Sequence, residues 1–149
     1  MKKSYRTLEF SFIQDYIKNY CFSEMAKKRI DQIQPFQDID DLKLYQDDIS
    51  SAMKIIYAYG RIPLAPYEDI KEILQKAQKG GVCYPQDLLK IIQILKNVQE
   101  VQAYLDQEIE QSHLLEILSL LYLPKDLYNE ILKCVDPSGN IYDHASHEL

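Results

Sequence analysis

Apolar residues recur along most of this chain at intervals of three and four, the repeat of helices with one buried face. The first run is Phe12, Ile13, Tyr16, Ile17, Tyr20 and Cys21. It starts within Ser11-Phe12-Ile13-Gln14, whose Ser and Gln fit the two ends of a capping box. Ser23 is placed to cap a second helix reaching about Ile33, with Glu24 in its positive first turn, and Pro35 stops it. A third helix follows Asp38-Ile39-Asp40-Asp41, carries Leu42, Tyr45, Ile49, Ala52, Met53 and Ile56 on one stripe, and ends at Gly60. Gly60 to Pro66 reads as a loop by its prolines and glycine.

A short helix comes next, with Ile70, Ile73, Leu74 and Ala77 inward, closed by Gly80 and Gly81. Pro85 suits the first position of the longest helix, which runs to about Glu108 with a stripe of Leu88, Ile91, Leu95, Val98, Val101 and Leu105. Leu89, Ile92 and Ile94 make its first half apolar on other sides too, so that half is expected at the centre of the core. Two short helices, Leu114 to Leu123 and Leu127 to Val135, are split by Pro124. The pattern then breaks. Pro137 and Gly139 suit a tight turn, flanked by Val135 before it and Ile141 and Tyr142 after it, which predicts a short hairpin. Asp143 then opens what reads as a further helix. The expected fold is all-α: a multi-helix orthogonal bundle of about seven helices with one short C-terminal β-hairpin, forming a single domain over residues 1–149.

Three stretches together resemble a known family. The C-terminal stretch follows D-x-x-G-x-I-x-D-x-A-S-x-x-L through Asp136, Gly139, Ile141, Asp143, Ala145, Ser146 and Leu149. Near the start, Leu8, Glu9, Phe10 and Ile13 follow L-E-F-x-x-I. In the middle, Pro63, Leu64, Asp69 and Ile70 follow P-L-x-x-x-x-D-I. Ala77, Gly80, Gly81 and Val82 then follow A-x-x-G-G-V, and Pro85 and Leu88 follow P-x-x-L. In that order they resemble the N-terminal core-domain segment of the second branch of bacterial MutS-like ATPases, whose longer members carry a C-terminal Smr nuclease domain. Tyr84 departs from the pattern, since a capping Ser, Thr or Asp is usual there.

The resemblance implies a non-catalytic core domain cut where a long lever helix starts. Its task would be mechanical coupling of lever and clamp to the ATPase. It also implies a part in mismatch-type or recombination DNA transactions and, in some members, the splitting of stalled ribosomes. ATP and Mg would belong to the missing ATPase domain and not to this chain. Partners would be the remaining domains of the same protein, DNA or ribosome in the full-length context, and a second subunit in full-length homodimers.

Composition narrows the picture. Four glycines and six prolines against many Leu, Ile, Gln, Glu and Lys favour helices. The 23 acidic residues exceed the 17 basic ones, for a net charge of −6, which disfavours a duplex-binding surface on this chain alone. Cys21, Cys83 and Cys134 lie far apart with no C-x-x-C, as expected for reduced cytoplasmic thiols. No signal-type h-region and no long apolar run predict a protein without membrane insertion.

Candidate chemistry is sparse. Four dispersed glycines cannot form G-x-x-x-x-G-K-[ST], and there is no H-E-x-x-H or G-x-S-x-G. Asp38-Ile39-Asp40-Asp41 matches the D-x-D-D acid motif of one terpene-cyclase class, but 149 residues cannot build that large helical barrel. Acids capping the start of a helix account for it. His144 and His147 could share a metal on a helix, yet read as solvated side chains. Of the twelve tyrosines, Tyr16, Tyr20 and Tyr45 fall on core stripes, and Lys27-Lys28-Arg29 falls on a wet helix face. The expectation is therefore no catalytic, cofactor or metal site. The different-class alternative is a stand-alone helical adaptor binding a protein partner.

Overall fold

The computed structural model describes residues 9–107 and 109–145. Among them are seven helices: α1 (Phe10–Lys18), α2 (Glu24–Asp31), α3 (Ile39–Tyr59), α4 (Lys71–Gln78), α5 (Pro85–Leu105), α6 (His113–Ser119) and α7 (Lys125–Cys134). The chain divides into two compact units: Met1–Pro35 with Pro66–Asp69, and Phe36–Ala65 with Ile70–Leu149.

In the first unit α1 packs on α2. Ser23 caps α2 as its sequence predicts, its hydroxyl accepting from the Ala26 amide at 3.1 Å. The α1 cap is different. The helix begins at Phe10, behind Glu9 in the left-handed region (φ 50), and no side chain caps it. Gln14 is thereby released from the expected capping box, and its amide donates to the Ile30 carbonyl at 2.7 Å, tying α1 to α2. The expected buried stripe is also absent. Phe12, Ile13, Tyr16, Ile17 and Tyr20 are all exposed, and α1 buries no residue. Tyr16 and Tyr20 meet each other instead, hydroxyl to hydroxyl at 3.0 Å.

The second unit is built around α5. Leu95, Leu123 and Tyr128 form its buried cluster, with Ile91, Ile92 and Val98 packed against them. The residues α5 buries are Leu95, Asn97, Val101 and Tyr104. The buried cluster thus gathers at Leu95 with Ile91 and Ile92 of the apolar half against it, and burial extends into the second half of α5 through Asn97, Val101 and Tyr104, while Leu89 and Ile94 are half-buried. The loop before α4 and the segment Leu121–Leu123 close over that second half, fastened by Asn97, Gln102 and Tyr104. Helix α7 packs on α5, and α6 packs on α3.

Helix α3 starts where its acids predict, the Asp38 carboxylate accepting from the Asp40 amide, and it stops at Gly60 (φ 83). Its stripe is turned out, however. Tyr45, Ile49, Met53 and Ile56 are exposed, and Ile55 is the one residue α3 buries. The helix packs through its Ile55 side against α6, so the widest apolar stripe is left over.

The C-terminal hairpin does not form as a pair of strands. Val135 and Ile141 make one isolated antiparallel bridge. Helix α7 continues to Cys134 and leaves only Val135 to extend, while the loop closes within the residues between the bridge partners. Asp143 to Ala145 form a turn, and the expected helix beyond it lies outside the described residues, as do Leu8, Ser146, His147 and Leu149. No described helix is long and apolar enough to cross a membrane.

Candidate functional site

The motif residues of the second unit, far apart in sequence, are brought together along α5. At the N-terminal end of α5, Gly81 lies under α4. A Cβ there would stand 2.8 Å from Lys76 Cγ and 2.9 Å from its carbonyl, so the second glycine of the pair allows a backbone approach that any side chain would block. Gly80 takes φ 75, the left-handed conformation that ends α4. With the chain turned this closely, Lys76 Nζ sits 4.3 Å from the Tyr84 ring centre and 3.5 Å from Asp87 Oδ2. Pro85 is the first residue of α5, where its missing N–H costs nothing.

Tyr84 takes the cap position despite having no short polar side chain. The Tyr84 amide donates to Asp87 Oδ2 at 3.0 Å, so the acid three residues on supplies the stabilising bond. That bond, ahead of Lys76, holds the Asp87 carboxyl below the usual carboxylate range.

The turn at 136–140 presses on the same end of α5. Asp136 Oδ1 accepts from the Ser138 amide at 2.8 Å and from the Asn140 amide at 2.9 Å, and Oδ2 accepts from Asn140 Nδ2 at 3.0 Å. These donors, the Asn140 amide first, lower the Asp136 pKa. Gly139 has φ 84, and a Cβ on it would stand 2.6 Å from Gln86 Nε2 and 3.2 Å from Leu89 Cδ1. Glycine is needed here for its conformation, and a side chain would also displace the end of Gln86. Gly139 of this turn thus lies against Gln86 and Leu89 in the first turns of α5, while Ile141 stays exposed. Asp143 and Ala145 continue from it as a turn closed by the Ala145 amide on the Tyr142 carbonyl at 2.9 Å.

Pro63 lies in the loop fastened further along α5. Asn97, buried, accepts from the Ala65 amide at 3.1 Å and donates to the Ala65 carbonyl at 2.9 Å. Tyr104 donates to the Gly60 carbonyl at 2.8 Å, and burial raises its phenol pKa. Gln102 donates to the Leu121 carbonyl at 2.8 Å. Nothing in the sequence pattern pointed to Asn97 or Tyr104. Glu9 and Phe10 belong to the first unit, at the opening of α1.

Other chemistry-bearing groups are scattered. His113 Nδ1 lies 3.0 Å from both Asp48 carboxylate oxygens, joining α6 to α3. His144 stacks on Tyr142, ring centres 5.0 Å apart. Among the described residues no three His, Cys, Asp or Glu side chains are grouped as a metal site.

No family model matches the chain. The chain is 30% identical over 151 residues to Endonuclease MutS2 of Clostridium botulinum (strain Alaska E43 / Type E3), a match that takes in 99% of this chain and 19% of the relative. It is 31% identical over 157 residues to Endonuclease MutS2 of Halothermothrix orenii, covering 99% of this chain and 20% of that protein. To Endonuclease MutS2 of Bacillus velezensis it is 26% identical over 156 residues, 99% of this chain and 19% of that protein. The chain spans about a fifth of the length of the curated relatives it matches. The resemblance to the second MutS branch is thus shown along nearly the whole chain, which is homologous to a segment making up about a fifth of Endonuclease MutS2.

Proposed function

We propose that the chain is one non-catalytic core domain of a MutS-like DNA-repair or recombination ATPase and acts as its mechanical coupler. The observation that carries this reading is that α5 is fastened to chain on either side of it: Asn97 holds Ala65 of the loop that contains Pro63, and Gly139 of the 136–140 turn lies against Gln86 and Leu89. A coupler needs such stiffness, because force passes between two sites only through elements that move together. In this reading lever and clamp grip DNA, or a ribosome, and the ATPase domain binds ATP and Mg. The whole works as a cytoplasmic homodimer, with no ATP, metal or membrane contact made by this chain.

The test is activity by extension. The 149-residue chain is expected to hydrolyse no ATP. It should bind duplex, branched or single-stranded DNA no better than the non-specific range of ~10⁻⁴–10⁻⁶ M at physiological salt. The same chain joined to lever, clamp and ATPase is expected to gain ATP-dependent binding. Submicromolar binding by anisotropy with the chain alone rejects the coupler and moves the weight to Lys27, Lys28, Arg29 and the tyrosines.

A second reading, a stand-alone helical adaptor, draws on the exposed apolar faces of α1 and α3. It predicts a stable complex with a separate protein and no requirement for a joined ATPase.

A further inference from the structure

We infer that the cleft between the C-terminal half of α3 and the segment 109–112 before α6 is a binding site for a free α-amino acid with an apolar side chain. Ser51, Lys54, Ile55, Ala58 and Tyr59 line one wall. They recur at i, i+3, i+4, i+7 and i+8, so a single face of α3 supplies that wall. Ile109, Glu110, Gln111 and Ser112 supply the other. The cavity measures about 300 Å³, at the lower end of the ~300–1,000 Å³ of small-molecule sites.

The cleft is pinned at both ends. At one, His113 Nδ1, next in sequence to Ser112, lies 3.0 Å from both oxygens of Asp48, one turn before Ser51 on α3. At the other, Tyr104 near the end of α5 donates at 2.8 Å to the carbonyl of Gly60, directly after Tyr59. Ser112 is fixed in turn, its hydroxyl accepting from the Leu115 amide at 3.2 Å to cap α6. With its ends tied, neither wall is free to slide onto the other. A site formed in advance loses least on binding.

The lining selects the ligand. Ile55, 5% exposed, offers apolar surface together with Ala58, Ile109 and the Tyr59 ring. Lys54 Nζ and Glu110 Oε2 stand 3.9 Å apart on highly exposed side chains, so the mouth carries one cation and one anion. A monoanion or a monocation meets one of them and is repelled by the other. A zwitterion meets both, its carboxylate at Lys54 and its ammonium at Glu110. An α-amino acid carries those two charges and its side chain on one carbon, so the side chain enters the apolar part while the charges stay at the mouth. The Ser51 hydroxyl and the Gln111 amide add donors and acceptors beside it. For phenylalanine, about a dozen non-hydrogen atoms at the ordinary yield per atom correspond to a Kd of ~1–10 mM.

The test is a titration of the isotope-labelled 149-residue chain with L-phenylalanine, phenylpropionate and phenethylamine, followed by amide NMR shifts. L-phenylalanine is expected to give saturable shifts at Ser51, Ile55, Ala58 and Gln111. Phenylpropionate lacks the ammonium and phenethylamine the carboxylate, and each is expected to bind about three- to fivefold more weakly, the range of one exposed ion pair. Lys54→Gln is expected to weaken L-phenylalanine by the same factor without weakening phenethylamine. Glu110→Gln is expected to weaken L-phenylalanine without weakening phenylpropionate. Both side chains are exposed, so neither variant is expected to disturb the fold, and far-UV circular dichroism checks this. The comparison of the three compounds needs no variant at all. No saturable shift up to ~20 mM ligand, shifts centred on other residues, or equal affinity for the three compounds overturns the inference. Each of those results leaves the coupler reading to its own ATP and DNA assays.

Discussion

Leu95→Ala is the perturbation that tests where the second unit keeps its stability. Leu95 is 8% exposed and shares the buried cluster with Leu123 and Tyr128, so α5 meets α7 and the segment before it at this side chain. Alanine removes three carbons beyond Cβ, a transfer loss of roughly 2.4 kcal/mol at ~0.8 kcal/mol per carbon. Ile91, Ile92 and Val98 surround the site on the same helix and cannot all move inward, so the void closes only in part. A residual void of roughly 50 Å³ adds about 1.2 kcal/mol at ~24 cal/mol per Å³. The total is about 3.5 kcal/mol. For a chain of this size that lowers Tm by roughly 7–14 °C. Urea melts followed by far-UV circular dichroism measure it, with Ile49→Ala as the comparison. Ile49 is 60% exposed, and its truncation is expected to stay within about 0.5 kcal/mol. Equal costs for the two substitutions, or a Leu95→Ala cost under about 1 kcal/mol, would refute this placement of the core.

Gly139→Ala is expected to cost about 1–2 kcal/mol, because it forces a side chain to φ 84 and against Leu89. A melt unchanged from the parent would contradict the close packing of the turn on α5. Asn97→Ala removes both bonds to Ala65 and leaves two backbone groups short of partners, an expected loss of about 2–3 kcal/mol in the same melts. Tyr104→Phe deletes the single bond to Gly60 and is expected to cost about 1 kcal/mol. The turn at 136–140 carries a pH signature. The folded Asp136 pKa is lowered, so its contribution is complete above the unfolded value of ~3.9 and is lost as pH falls through the folded value. A carboxyl titration by NMR should place its midpoint below that of an unfolded-state Asp, and a midpoint at or above it contradicts the bonding.

The helices were legible because their signals are local. Ser23, Asp38, Gly60 and Pro85 act on backbone groups within one turn, so caps and stops fall where the residues predict. The α5 start survived its missing side-chain cap because the Asp87 carboxylate, three residues on, accepts from the Tyr84 amide, the reciprocal bond of a capping box. Two local signals misled for the same reason. Ser11 with Gln14 looked like a capping box, but Gln14 found a carbonyl on α2. Val135 and Ile141 looked like strands, but α7 used up the residues on one side of the turn.

The sequence by itself determined that the chain is helical, where most helices begin, and which known family its motifs resemble. A 3.6-residue repeat states that a helix has an apolar side, and that is all it states. Which apolar sides become core depends on what other elements can reach them. Only the tertiary structure decided that α3 packs through Ile55 and leaves Ile49, Met53 and Ile56 exposed, with Tyr45 meeting the Phe36 ring. It likewise decided that α1 buries nothing and that Asn97 and Tyr104 of α5 hold the proline loop. Those outcomes are long-range, set by pairs of residues tens of positions apart competing for one face of one helix, and no window of sequence contains both members of such a pair.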